Sequence, residues 1–253
     1  GRQGARLDRG DWRTLLHLAN CLSYMGMYGE SEAWSRRLFE LDESDPRVRG
    51  ARLYGAVGMA NGAYQSRRVA DLRQHITQMR TAGSDNVAVL AYSGLFFVTL
   101  DDPDAAFEAL SAIPAAALSF TTNWFPTAGA LLGWSEARTG RESGMERLRN
   151  LEALLLQQHA AGRLGPASIN DLSVIASVLH DEAEQLRWFR EAVRLDPVRL
   201  HLLRDAPYYD GIRDHPEFQA WLDDIETRQR EWQREMAALG SWMPEEVMGA
   251  APR

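Results

Sequence analysis

The stretch "INDLSVIASVLHDEAEQLRWFREAVRLDP" (residues 169–197) decides the fold. It reads as two helical runs separated by a single break. The first carries a small residue, Ser173, and reaches a turn residue, His180, seven positions later. The second carries a bulky residue, Phe189, a small one, Ala192, and a breaker, Pro197. Each run sets apolar residues at helical spacing, a stripe that neither can bury alone. Folded back as a hairpin, the two stripes cover each other, and the small residue lets the backbones approach.

The same arrangement recurs towards the N-terminus. The pairs Ala19/Gly26, Gly55/Gly62, Gly94/Asp101 and Gly133/Gly140 repeat the seven-residue offset, and successive small residues lie 36, 39, 39 and 40 positions apart. A period of that size denotes stacked supersecondary units. The glycine that closes three of these pairs fits a helix C-cap with positive φ. The spacing predicts helix pairs at 11–26 with 31–42, 46–61 with 65–81, 85–100 with 103–113, 123–139 with 142–160, and 167–179 with 182–195. In the third unit, "DDPDAAFEALSAIP", Asp102 can cap, Pro103 sits in the first turn, and Ala106, Leu110 and Ile113 share a face. The segment 114–126, "PAAALSFTTNWFP", with prolines at both ends, predicts an irregular connection.

Composition narrows the possibilities. At 253 residues the chain exceeds the usual single core, leaving two domains or an elongated array. No apolar run approaches the ~18–20 residues that span a bilayer, and no signal-peptide pattern is present. The opening "GRQGARLDRGDW" reads as part of something longer. Cys21 is the only cysteine, which excludes an internal disulfide. All 28 basic residues are arginine. The net charge of −7 is concentrated in residues 205–246, with 11 acids against 4 arginines, and the rest of the chain balances. A neutral body with an acidic end argues against direct nucleic-acid binding, which needs a positive surface.

After Pro197 the pattern changes. "LLRDAPYYDGIRDHPEF" (202–218) holds two proline-bearing turns, and Asp214 or His215 before Pro216 marks a helix start. From there Phe218, Trp221, Leu222, Ile225, Trp232, Met236 and Leu239 recur at three- and four-residue spacing, predicting one amphipathic helix of about 22 residues. A stacked array needs a terminal cap with a polar outer face. The expected organisation is therefore an array over 11–200, a turn segment and capping helix over 201–240 in the same domain, and a flexible tail over 241–253.

With its small crossing residues and closing proline, the unit at 169–197 resembles the tetratricopeptide repeat, two antiparallel helices of about 34 residues. The resemblance covers roughly residues 11–200. It implies an all-α, right-handed superhelix of about five hairpins with a long C-terminal capping helix. The residues Leu203, Arg204, Pro207, Tyr209, Asp210, Ile212, Arg213, Pro216 and Phe218 also resemble a segment that closes the tetratricopeptide part of many bacterial signalling proteins. Some of those carry an N-terminal winged-helix DNA-binding domain, others a nucleotide cyclase domain. The resemblance implies a non-catalytic scaffold or sensor module of such a regulator, a grouping that includes membrane-anchored proteins, with no cofactor and no metal. A stand-alone adaptor in envelope assembly or secretion is the alternative.

In stacked hairpins the first helices line a concave face. Spacing places Arg13, Asn20, Tyr24, Arg49, Arg52, Met59, Trp134, Arg138 and Asn170 there. Arg13, Arg49 and Arg52 suit an acidic peptide or carboxylate. The expected partner is thus a protein or peptide, with homodimerisation through the terminal helix as a further option. Some tetratricopeptide domains grip a terminal carboxylate through a lysine–asparagine pattern, but Leu16 stands one turn before Asn20 where a basic residue is expected. His17 and Cys21, four apart, have the spacing of a nucleophile and its base, without a third group to orient the histidine. The region from His201 to His215, with Tyr208 and Tyr209, is the one other candidate for small-molecule, acid–base or metal chemistry, although no compact ligand spacing is present. No phosphate loop, G-x-S-x-G or H-E-x-x-H motif occurs.

Overall fold

The computed structural model describes residues 12–41, 44, 50–120 and 125–244. Among them are twelve α-helices and no strand. Five hairpins follow in order: α1 (Trp12–Tyr24) with α2 (Tyr28–Phe39), α3 (Ala51–Gln65) with α4 (Val69–Ala82), α5 (Val87–Thr99) with α6 (Pro103–Ser111), α7 (Ala128–Arg138) with α8 (Glu142–Ala160), and α9 (Pro166–Leu179) with α10 (Glu182–Leu195). The short α11 (Pro197–Leu200) and two 3-10 turns lead into α12 (Pro216–Ala238). The chain forms two compact units, one from Gly1–Ser84 with Glu226–Arg253, the other from Asp85–Ile225. Within each, neighbouring helices pack in succession, as in an α-solenoid.

In the first unit α1 packs on α2, α2 on α3, and α3 on α4, while α1 and α3 also lie side by side. Their contacts run from end to end: Trp12 stacks on Tyr54 at 5.6 Å near the start of both helices, and Asn61 Nδ2 donates to Ser23 Oγ at 2.9 Å near their ends. The two first helices therefore run parallel. Gly55 faces α2, where a Cβ would stand 2.5 Å from the Phe39 nitrogen and 2.6 Å from the Ser35 carbonyl oxygen. The buried Glu32 on α2 pairs with Arg36 at 3.0 Å and with Arg68 at the entrance to α4.

The second unit repeats the scheme. The helices α5, α7 and α9 adjoin one another in turn, and each packs on its own partner. Gly94 meets Leu110 of α6, and Gly133 meets Leu148 of α8, so both stand at crossings as their spacing predicted. Asp102, Thr127 and Asp181 cap α6, α7 and α10 by accepting backbone N–H groups. The buried Glu136 takes two hydrogen bonds from Arg147, at 2.8 and 3.3 Å, which ties α7 to α8.

Gly26 (φ 74°), Asp101 (φ 51°) and Gly140 (φ 75°) adopt the left-handed conformation at their turns. Gly62 does not. It lies inside α3, against Glu32, and the left-handed residue of that turn is Arg67 at φ 54°. His180 ends α9 in an extended conformation rather than a left-handed one. The irregular connection after α6 holds a 3-10 turn at Ala115–Ala117, and residues 121–124 lie outside the described set.

The terminal helix begins as expected and continues differently. In the second unit Phe218 and Trp221 pack on Phe189 of α10, with ring centroids 5.0 and 5.2 Å apart. From Glu226 onwards α12 belongs to the first unit, where Gln229 Nε2 donates to the Tyr24 carbonyl at 3.0 Å and Gln233 Nε2 to the Met25 carbonyl at 3.2 Å. These amides satisfy carbonyls at the end of α1 that have no partner within the helix. A Cβ on Gly26 would stand 2.7 Å from Gln233 Nε2, so that turn needs glycine for both conformation and space. This half of α12 covers the end of the first hairpin and leaves Glu226, Arg228, Arg230, Glu231, Arg234 and Glu235 exposed on its other face. Residues 241–244 do not trail away, since Trp242 joins the buried cluster of Trp12, Leu15, Trp34 and Leu38. Residues 245–253 are outside the described set.

Candidate functional site

Arg13, His17, Asn20 and Tyr24 follow one another at helical spacing along α1. The first three are exposed and Tyr24 is half-buried. The Arg13 guanidinium lies over the Trp12 ring at 4.9 Å, and Trp12 is the ring that stacks on Tyr54 of α3. This gives a ledge of polar and aromatic groups along two parallel helices. Arg52, also exposed, leans over Phe39 of α2 at 4.9 Å, and so engages a different ring from Arg13. Arg49 lies outside the described residues.

The remaining residues expected on this face have other settings. Met59 is 3% exposed, Trp134 2% and Asn170 5%, so all three are core side chains. Each first helix has neighbours on several sides, which a local helical period does not reveal. Arg138 is exposed, sits over Trp134 at 5.4 Å and binds Asp101 at 3.0 Å. Asn170 borders a cavity of about 10 Å³ with Asp196 and Arg199, too small for an organic ligand.

The segment 201–215 is built as a structural plug. His201, Tyr208 and Tyr209 are buried, and Tyr209 sits within 6 Å of both Phe189 (5.9 Å) and Phe218 (5.7 Å). The buried Gln185 donates to the Tyr208 carbonyl. Arg213 binds the turn together: it pairs with Asp210 at 2.7 Å and donates to the carbonyls of Arg204 at 2.6 Å and Ala206 at 3.0 Å. His215 Nδ1 accepts the Glu217 N–H at 3.2 Å and so caps α12. Burial, reinforced by Arg204 and opposed by Asp205, pushes the His201 pKa down to about 4. The ring is neutral near pH 7, and neither nitrogen has a hydrogen-bond partner. The described residues contain no cluster of three or more His, Cys, Asp or Glu able to hold a metal ion.

This reading makes a local prediction. Arg213→Ala removes charge-assisted hydrogen bonds from partly buried carbonyls, and is expected to lower stability by about 2 kcal/mol in urea denaturation. Asp214→Ala, one residue away and exposed, is expected to stay within about 0.5 kcal/mol of the parent.

Two further groups bear on chemistry. His17 and Cys21 are both exposed on α1. Asp171 on α9 is the most perturbed carboxyl: it is 1% exposed, and burial raises its pKa to about 7 although the Thr127 backbone N–H (2.6 Å) and side chain bind it. That contact ties α9 to the first residue of α7's cap, so the carboxyl serves the stacking of neighbouring hairpins. Sequence reasoning passed over Asp171; its one visible signal is an acid in the middle of an otherwise apolar helix. Among the described residues no helix is long and apolar enough to cross a membrane. Comparison with protein families, characterised proteins and solved structures finds no match to this chain.

Proposed function

We propose that this chain is a non-catalytic, tetratricopeptide-like binding module of a bacterial signalling or regulatory protein, which takes a protein or peptide partner on the first-helix ledge of its N-terminal hairpins. The observation that carries the reading is the parallel, side-by-side packing of α1 and α3, fixed at one end by Trp12 on Tyr54 and at the other by Asn61 on Ser23. Such packing leaves one long edge of α1 facing outward with Arg13, His17 and Asn20 in a row. Arginine beside stacked aromatic rings is the combination that most often dominates binding energy at interfaces. The guanidinium fork favours a carboxylate-bearing segment.

Affinity capture from the parent bacterium tests this. The triple variant Arg13→Glu, Asn20→Ala, Arg52→Glu is expected to lose the proteins retained by the parent chain by about thirtyfold, the loss from truncating one strong contact of ~2 kcal/mol. Identical captured proteins at equal yield would remove the ledge as the site.

A further inference from the structure

We propose that Asp171 makes the joint between the fourth and fifth hairpins proton-sensitive: its neutral carboxyl latches α9 to the start of α7, and ionisation loosens that joint. Asp171 is 1% exposed, on a stretch of α9 where Ile169, Leu172, Val174 and Ile175 are buried as well. Its Oδ1 accepts the Thr127 N–H at 2.6 Å, 44 positions away in sequence. Thr127 is also the cap of α7, since its hydroxyl accepts the Ala130 N–H at 3.2 Å. One carboxyl therefore joins the entry of α7 to the body of α9. The latch stands where an irregular connection becomes a helix end, and local opening costs least at such places.

No cation shares the site: among the described residues Asp171 has no ion pair. The charged groups on the elements packed against α9 are turned to other partners. On α7, Glu136 and Arg138 pair with Arg147 and Asp101; on α8, Glu152 pairs with His180; on α10, Glu184 and Glu191 pair with Arg187 and Arg194. His159 of α8 stands edge-on to the Trp188 ring, and the turn at Pro207–Tyr209 brings only the phenols of Tyr208 and Tyr209. Burial and the two Thr127 hydrogen bonds alone govern the charge of Asp171, and burial wins. The closed joint thus holds its proton up to about pH 7, whereas a carboxyl released to water gives it up near 3.8. The closed form binds the proton more tightly, so opening is least favourable below about pH 4, grows as pH rises towards 7, and levels off above. Over pH 5 to 7 the open fraction is expected to rise on the order of fiftyfold from this group. The device is independent of the exposed ledge of α1.

The test is amide hydrogen exchange on the full chain between pH 5 and 8, read by NMR with the intrinsic exchange rates divided out. Relative to Asp171→Asn, opening at the Thr127 and Ala130 amides of the parent is expected to rise about fiftyfold from pH 5 to 7 and then to level off. Asparagine still offers an oxygen to the Thr127 N–H and has no proton to lose; the opposite titration of His201 is common to both proteins. Amides in the middle of α5, in the same unit, should show no such difference. Equal profiles for parent and variant overturn the proposal. So does a rise of equal size at α5, which would make Asp171 a determinant of overall stability and not a latch. Should Asp171→Asn fail to fold, the parent decides alone, by the ratio of opening at Thr127 to opening in α5: a ratio that climbs with pH supports the latch, and a constant one overturns it.

Discussion

Asp171→Asn is expected to make the protein more stable at pH 8 and to leave it nearly unchanged at pH 4. The carboxyl in the folded chain titrates at about 7 against a reference of 3.8, because burial disfavours its charge more than the Thr127 hydrogen bonds favour it. Its folded pKa lies above its unfolded one, so the native state holds the proton more tightly. Stability from this group is therefore full below about pH 4, declines as pH rises from 4 to 7, and is flat above. The difference between the two pKa values amounts to about 4 kcal/mol. Asparagine keeps an oxygen for the Thr127 N–H and has nothing to ionise. The parent's melting temperature should fall relative to the variant's as pH rises across 4–8.5. His201 works in the opposite direction: its lowered pKa costs stability as pH falls from about 6.5 towards 4. That contribution is common to both proteins and cancels in their difference. Parallel profiles would mean that Asp171 is hydrated or unperturbed in solution.

The hairpins were legible because they rest on local periodicity. Helical spacing and the small residue before each turn place all ten helices of the five hairpins, with ends up to five residues off, as at the starts of α3 (Ala51 against 46) and α7 (Ala128 against 123). Gly94 and Gly133 stand at helix crossings because no larger residue fits against Leu110 and Leu148. Gly62 misleads because glycine serves two purposes that one letter does not separate; here it provides space against Glu32, while the left-handed turn falls on Arg67, a residue with no sequence signal for it. The inward contacts of the second half of α12 were hidden for a related reason. Gln229 and Gln233 lie on the same stripe as Ile225 and Met236, but as amides they look like solvent-facing positions. They are directed inward to carbonyls at the end of α1, two hundred residues away. Long-range polar contacts of this kind leave no period. The same limit governs the candidate site: exposure of Arg13 and Asn20 follows from α1's own spacing, whereas burial of Met59, Trp134 and Asn170 depends on which helices stand beside them.

Gly55→Ala is expected to destabilise the first unit by about 3 kcal/mol, far beyond what helix propensity suggests. In an exposed helix interior the same change would be favourable by about 0.8–1 kcal/mol. At Gly55 the added methyl carbon would stand 2.5 Å from the Phe39 nitrogen, 2.6 Å from the Ser35 carbonyl oxygen and 2.9 Å from the Phe39 Cα, all of them backbone atoms of α2. A side chain can rotate away from such a contact, but a helix backbone must move as a body, and overpacking of this kind typically costs 1–3 kcal/mol or more. Moving α2 also strains the Glu32 pairs with Arg36 and Arg68 and the Ser31 hydroxyl bond to the Ala19 carbonyl at 2.8 Å. Two companion substitutions isolate the cause. Gly29→Ala, on α2 with open space around it, should be neutral or stabilising. Gly140→Ala, with open space but φ of 75°, should lose only the left-handed penalty of about 1–2 kcal/mol. If all three shift urea midpoints equally, close approach of α2 and α3 is not what the glycine provides, and the tight stacking on which the proposed ledge depends loses its support.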